Sequence, residues 1–93
     1  MKVTFIDVRE PQEFQEVRIP GAINLLIRDV TEDNLQALES SDLVITYCVK
    51  DFRGYEMAKK LHDKGVKNVA ILNPYGLKGW IKSKLPTIGK NNL

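Results

Sequence analysis

Cys48 is the only thiol of the chain, and four residues separate it from Arg53, with Lys50 between them and Gly54 directly after. The stretch reads Tyr47-Cys48-Val49-Lys50-Asp51-Phe52-Arg53, with an apolar run leading into the cysteine and a helical pattern leading out from Gly54. A cysteine so placed is either a small apolar filler at the end of a strand or a nucleophile. Its neighbours argue for the second reading. The amino end of a helix carries unsatisfied N–H groups and a positive partial charge, and both favour an anion. Lys50 and Arg53 add full positive charges, and the thiolate is the anion at hand. A packing residue has no use for a strand end, two cations and a helix start within one short stretch, so the pattern points to nucleophilic sulfur chemistry.

The elements that must position this loop can be read from periodicity. Val3-Thr4-Phe5-Ile6-Asp7-Val8 is β-branched and aromatic and ends in charge, as a buried strand does. Glu10-Pro11 opens a short helix whose apolar face is Phe14 and Val17, closed by the turn Ile19-Pro20-Gly21-Ala22. Ile23 to Ile27 is a short strand or an extended loop. Thr31 is placed as an N-cap, with Val30 and Leu35 as a hydrophobic staple and Leu38 continuing the buried face. Leu43 to Cys48 is apolar on both faces, like a central parallel strand. Beyond Gly54, Met57, Ala58 and Leu61 share a helix face that Lys64-Gly65 stops. Val69 to Leu72 reads as another buried strand, Asn73-Pro74-Tyr75-Gly76 as a turn, and Leu77, Trp80, Ile81 and Leu85 as one side of a last helix ended by Pro86. From Thr87 the tail is expected to fray.

Strands alternating with helices predict an α/β fold: a central parallel sheet joined by right-handed crossovers, with helices on both faces. Ligands of such sheets gather beyond the carboxyl ends of the strands, where both Asp7 and Cys48 fall. Asp7 has a plainer reading as the cap of the turn that follows its strand.

A chain of 93 residues, 43% hydrophobic and 28% charged, predicts a single domain with a modest core. A net charge of +2 with scattered Lys and Arg does not suggest nucleic acid. The basic concentration from Lys78 to Lys84, with Lys90, reads as a solvated helix face. The amino terminus lacks the apolar core of a secretion signal, and Leu43 to Val49 falls far short of the ~20 apolar residues of a membrane span. With one unpaired cysteine, the expectation is a cytoplasmic protein. His62 lies on an outer helix face away from the loop, and no Cys, His and carboxylate set suggests a metal or another cofactor. Trp80 and Phe14 fit apolar helix faces, while Phe52 can wall a pocket, dock an acceptor or simply pack.

Over roughly Phe5 to Pro86 the chain resembles the single-domain rhodaneses, a family of sulfurtransferases. Ile6-Asp7-Val8-Arg9-Glu10-Pro11 with Glu13-Phe14 is similar to the family's first signature, and Ile19-Pro20-Gly21-Ala22-Ile23-Asn24 to its second. Tyr47-Cys48 through Arg53 resembles the catalytic loop, and Gly76-Leu77-Lys78-Gly79-Trp80 the closing turn and tryptophan. The resemblance implies a rhodanese-like domain over residues 1–88 with a short tail, 89–93, and the catalytic loop between a central strand and the next helix. It implies that the Cys48 thiolate takes the outer sulfur of a small anionic donor such as thiosulfate and passes it to a thiol, cyanide or protein acceptor. Backbone amides of Val49, Lys50, Asp51, Phe52 and Gly54 would cradle the persulfide, Arg53 would orient the loop or the donor, and Asp7 and Arg9 would brace the loop from beneath. Related phosphatases and arsenate reductases of this fold use one residue more between cysteine and arginine, so four suit sulfur.

The chain departs from the family pattern where Asp51 replaces a usual glycine, where Tyr75 replaces the first of two glycines, and where the strand and helix that usually precede Asp7 are missing. A dimer or a partner protein could cover the edge so exposed. The rival expectation from another class is a non-catalytic interaction module of the same fold, favoured by Asp51 and opposed by the intact Cys48 and Arg53.

Overall fold

The computed structural model describes residues 1–49, 51–72 and 76–89, with backbone alone at 51 and 52. Lys50, the side chains of Asp51 and Phe52, the turn expected over Asn73-Pro74-Tyr75 and the tail from Lys90 lie outside the described residues. In chain order the elements are β1 (Val3–Asp7), α1 (Pro11–Glu16), β2 (Val17–Arg18), β3 (Ile23–Asn24), a 3-10 turn (Ile27–Asp29), α2 (Glu32–Leu38), β4 (Leu43–Tyr47), α3 (Asp51–Asp63), β5 (Val69–Ile71), α4 (Gly76–Lys82) and β6 (Ile88–Gly89).

Local chemistry explains the boundaries. Pro11 occupies the first position of α1, where its missing N–H costs nothing. Thr31 caps α2 reciprocally: Asn34 N donates to Thr31 Oγ1 at 3.3 Å, and Thr31 N donates to Asn34 Oδ1 at 2.8 Å. The end of α3 is a Schellman motif, with Gly65 N donating to His62 O at 3.0 Å and Val66 N to Leu61 O at 3.0 Å.

The strands β3-β1-β4-β5 form one sheet, in that order, and every pair is parallel. Asp7 of β1 sits opposite both Asn24 of β3 and Tyr47 of β4. Because side chains alternate along a strand, the sheet separates two apolar clusters. One joins Ile6, Val44 and Cys48 to Leu38 of α2 and to Met57 and Leu61 of α3. The other joins Phe5 and Tyr47 to Val17, Ile19 and the α4 residues Leu77, Trp80 and Ile81. Trp80 packs edge-on against Phe5, with ring centroids 5.6 Å apart. This is the expected α/β architecture, with helices on both faces of a central parallel sheet.

Several boundaries correct the sequence reading. The third helix starts at Asp51 and not near Gly54, because the turn containing Gly54 is pressed onto β4: Thr46 Oγ1 donates to Gly54 O at 2.6 Å. Val17 leaves the helix face and pairs in β2. The chain from Thr87 does not fray at once, since Ile88 and Gly89 form β6 antiparallel to β2. Leu85 is 45% exposed and outside α4, which ends where Lys84 turns to a φ of 60°. Val69–Ile71 is only half-buried, as an edge strand.

Candidate functional site

β4 runs through the centre of the sheet and delivers Cys48 at its carboxyl end, directly ahead of α3. The carbonyls along this exit are taken up one after another by different elements. Thr46 O accepts from Leu72 N at 3.1 Å, beyond β5, and Tyr47 O accepts from Val8 N at 3.0 Å, beyond β1. Cys48 O then accepts from Leu77 N at 2.7 Å and Val49 O from Lys78 N at 3.4 Å. The first turn of α4, whose amides have no partners inside their own helix, thus replaces the sheet where the sheet ends.

The thiol itself is enclosed. Cys48 is 2% exposed, and it belongs to the cluster with Ile6, Val8, Leu25 and Met57. Arg53 lies in the first turn of α3 with its guanidinium half-exposed, and its Nη2 is 3.9 Å from Glu13 Oε1 of α1. Gly54 is buried, and a methyl group there would stand 3.2 Å from Tyr47 Cα, a tight contact that the missing side chain avoids where the helix approaches the strand. Val49 is half-buried.

Asp7 and Arg9 form a buried ion pair behind the loop. Arg9 Nη2 donates to Asp7 Oδ2 at 2.8 Å, and Arg9 Nε lies 3.0 and 3.1 Å from Oδ1 and Oδ2. The plainer reading of Asp7 also holds, since its Oδ1 accepts from Arg9 N at 2.9 Å and caps the turn. Arg9 Nη2 further donates to Val17 O. Among the described residues these bonds tie β1 to β2, and their link to the cysteine passes through Tyr47, which faces Asp7 across the strand pair. The Tyr47 hydroxyl accepts from Ile19 N at 3.2 Å, and its pKa is pushed well above the ordinary tyrosine value, first by burial and then by the negative charge of Asp7.

Three residues quoted from the sequence only as parts of the family signatures make contacts that the sequence reading did not assign. Asn24 donates to the carbonyls of Asp7 and Arg9 at 3.1 and 2.8 Å, Glu13 faces Arg53, and Gly76 opens α4 against the Cys48 backbone. Thr46, whose buried hydroxyl donates to Gly54 O at 2.6 Å, was the readable sign that a polar group packs against β4. His62 is on the surface, with its side chain 74% exposed. Among the described residues there is no cluster of His, Cys, Asp and Glu that could hold a metal, and no helix is long and apolar enough to cross a membrane. A hollow of about 460 Å³ lies instead at the opposite, amino ends of β4 and β5, lined by residues including Leu35, Asp42, Lys67 and Asn68. Its position beyond the wrong ends of the strands separates it from the thiol chemistry.

A rhodanese-like domain family model matches residues 1–83. The chain is 31% identical over 90 residues to the uncharacterized protein slr1261 of Synechocystis, covering 97% of this chain, and spans about half, 49%, of that protein's length. It is 29% identical to the candidate sulfurtransferase YtwF of Bacillus subtilis, over 81% of this chain and 70% of the relative. A structure of a rhodanese with anions from E. coli superposes with a TM-score of 0.75 at 28% identity, covering 94% of this chain and 98% of that one.

Proposed function

Since the chain belongs to the rhodanese-like domain family, we propose that it is a sulfurtransferase carrying a sulfane sulfur as a persulfide on Cys48. The observation that carries this reading is the placement of the single cysteine at the carboxyl end of the central parallel strand, directly before the amino end of α3. In the first half-reaction the Cys48 thiolate attacks the outer sulfur of thiosulfate. The donor's S–S bond breaks, its electron pair leaves with sulfite, and Cys48 keeps the sulfur as a persulfide anion. In the second, a thiol, cyanide or protein nucleophile attacks that outer sulfur and the Cys48 thiolate is regenerated. Charge and atoms balance in both steps without a cofactor.

The positive end of the α3 dipole stabilises both the thiolate and the persulfide. Arg53, half-exposed in the same turn, is suited to receive the sulfite-like end of the donor. The compartment we infer is the reducing cytoplasm, where a lone thiol stays available. The similarity to YtwF and to the E. coli rhodanese supports sulfur transfer as the reaction class.

The 2% exposure of Cys48 favours one rival, a non-catalytic module that recognises a partner through the loop. Intact-mass measurement after thiosulfate treatment separates the two. One added sulfur atom, absent from Cys48→Ser, is expected of the enzyme, and an unchanged mass would leave the interaction module.

A further inference from the structure

Glu10, the cap of α1, and Glu13, in its first turn, each face an arginine, but they hold it in different ways. Glu10 takes Arg28 through two hydrogen bonds, from Nη2 to Oε1 at 3.2 Å and from Nη1 to Oε2 at 3.4 Å. Glu13 meets Arg53 only as an ion pair, with Arg53 Nη2 3.9 Å from Glu13 Oε1, beyond hydrogen-bond reach. The difference lies in what else Glu13 does. Its Oε1 accepts from Glu10 N at 3.1 Å and closes the capping box of α1, so the carboxylate is fixed by its own helix. Following Arg53 more closely would cost that cap.

Arg53 has the freedom that Glu13 lacks. Its side chain is 43% exposed in the first turn of α3, and a pair this long and this exposed holds it weakly. A planar guanidinium makes far stronger, bidentate bonds with a free oxyanion than with a carboxylate standing 3.9 Å away. We propose that Glu13 is a placeholder for the donor: it parks the Arg53 guanidinium beside the cysteine loop and yields it when a sulfur oxyanion arrives. The exchange trades the long pair for short bonds from Arg53 to oxygens of the donor, and no covalent bond changes in it. Glu13 acts through Arg53 as a positioning residue that competes with the donor. It sets how much donor is needed and not how fast the bound donor reacts. This rests on the sulfur-transfer reading, and adds to it the group that governs donor affinity.

The test is a double-mutant cycle on the full chain, with sulfate as a dianion that binds without reacting and the backbone amide shifts of residues 53 and 54 as the readout. Glu13→Gln keeps the side-chain length and an oxygen for Glu10 N, and removes the charge. It is expected to tighten sulfate binding about two- to fourfold, and to lower KM for thiosulfate by a like factor with kcat within about twofold. In an Arg53→Gln background the same change should alter sulfate affinity by less than about 1.5-fold, because the group competed for is gone. Glu16→Gln removes an equal charge from an exposed position at the other end of α1, and should also stay under about 1.5-fold. That control decides the question if sulfate no longer binds measurably to Arg53→Gln. Unchanged or weaker sulfate binding in Glu13→Gln would overturn the proposal, as would an equal gain in Glu16→Gln or in the Arg53→Gln background. So would the absence of saturable sulfate binding from both the unmodified chain and Glu13→Gln. If thiosulfate leaves the mass of the unmodified chain unchanged, the sulfur-transfer reading falls while the sulfate cycle still decides this one.

Discussion

Tyr47 holds a neutral phenol where ionisation is costly, and the sign of its effect on stability follows. Burial, and then the charge of Asp7, raise its folded-state pKa above the ordinary value of 10.0, so the folded protein keeps this proton longer than the unfolded chain. The associated stability is complete below about pH 10 and declines as pH rises above it, because the unfolded tyrosine ionises first. Tyr47→Phe should therefore flatten the loss of stability above about pH 10 in urea titrations, while costing about 1–2 kcal/mol at pH 7 by leaving the Ile19 N–H without its acceptor. Arg53 should show the opposite division. Its contact with Glu13 is long, at 3.9 Å, and both side chains are about 40% exposed, so the pair contributes roughly 0–1 kcal/mol. Arg53→Ala is expected to leave Tm within about 2 °C and to lower kcat/KM for thiosulfate at least ~tenfold. Asp51 adds a negative charge to the same loop sequence, and a carboxylate taken to be about 6 Å from a dianion, at an effective dielectric of about 20, would repel it by about 1 kcal/mol once screened. Asp51→Asn should raise kcat/KM for thiosulfate about five- to tenfold, with the gain shrinking as salt increases. An unchanged or lower value would overturn the repulsion argument for Asp51.

Among the elements, β1 ends in a buried ion pair between Asp7 and Arg9. Arg9 and Asp7 are 3% and 0% exposed, so Arg9→Met would leave a buried carboxylate unpaired, at about 3–5 kcal/mol. Thermal unfolding should detect this as a fall in Tm, far larger than that from Thr31→Ala, which removes the α2 cap and costs about 1 kcal/mol. Strands and helices with strong periodicity were legible in the sequence: β1 and β4 end one residue short of the expected Val3 to Val8 and Leu43 to Cys48, and α3 contains Met57 to Leu61. What the sequence concealed depended on contacts between distant segments. Nothing local in Ile88-Gly89 says that it pairs with Val17-Arg18, since such short strands exist only through their partner. The start of α3 was masked similarly, because Gly54 looks like a helix boundary until Thr46 and Tyr47 are seen against it. At the site, the cysteine and its arginine could be named from residue type and spacing. The contacts of Asn24, Glu13 and Gly76, quoted only as parts of the signatures, could not, because each acts on a residue far away in sequence.

At the scale of the whole molecule, the parallel sheet gives the protein two unlike ends. The thiol, Asp7 and the start of α3 gather at the carboxyl ends of the strands, and the hollow bordered by Lys67 and Asn68 lies at the amino ends. Lys67→Glu should consequently change thiosulfate kcat/KM by less than about twofold, in contrast to Arg53→Ala, and a larger effect would mean that the two ends communicate. The enclosure of Cys48 also bears on time. On the proposed function, a sulfur atom held on a side chain 2% exposed would be sheltered from collisions with bulk thiols as well as from productive acceptors. Its lifetime should then be set by how often the surrounding segment opens, as with any reaction that proceeds only through a transiently open form. Discharge of the loaded protein by a small thiol is expected to rise with thiol concentration and then level off at the opening rate. The protein would behave as a timed reservoir, releasing its cargo at a pace written into its own local unfolding and not into the composition of its surroundings.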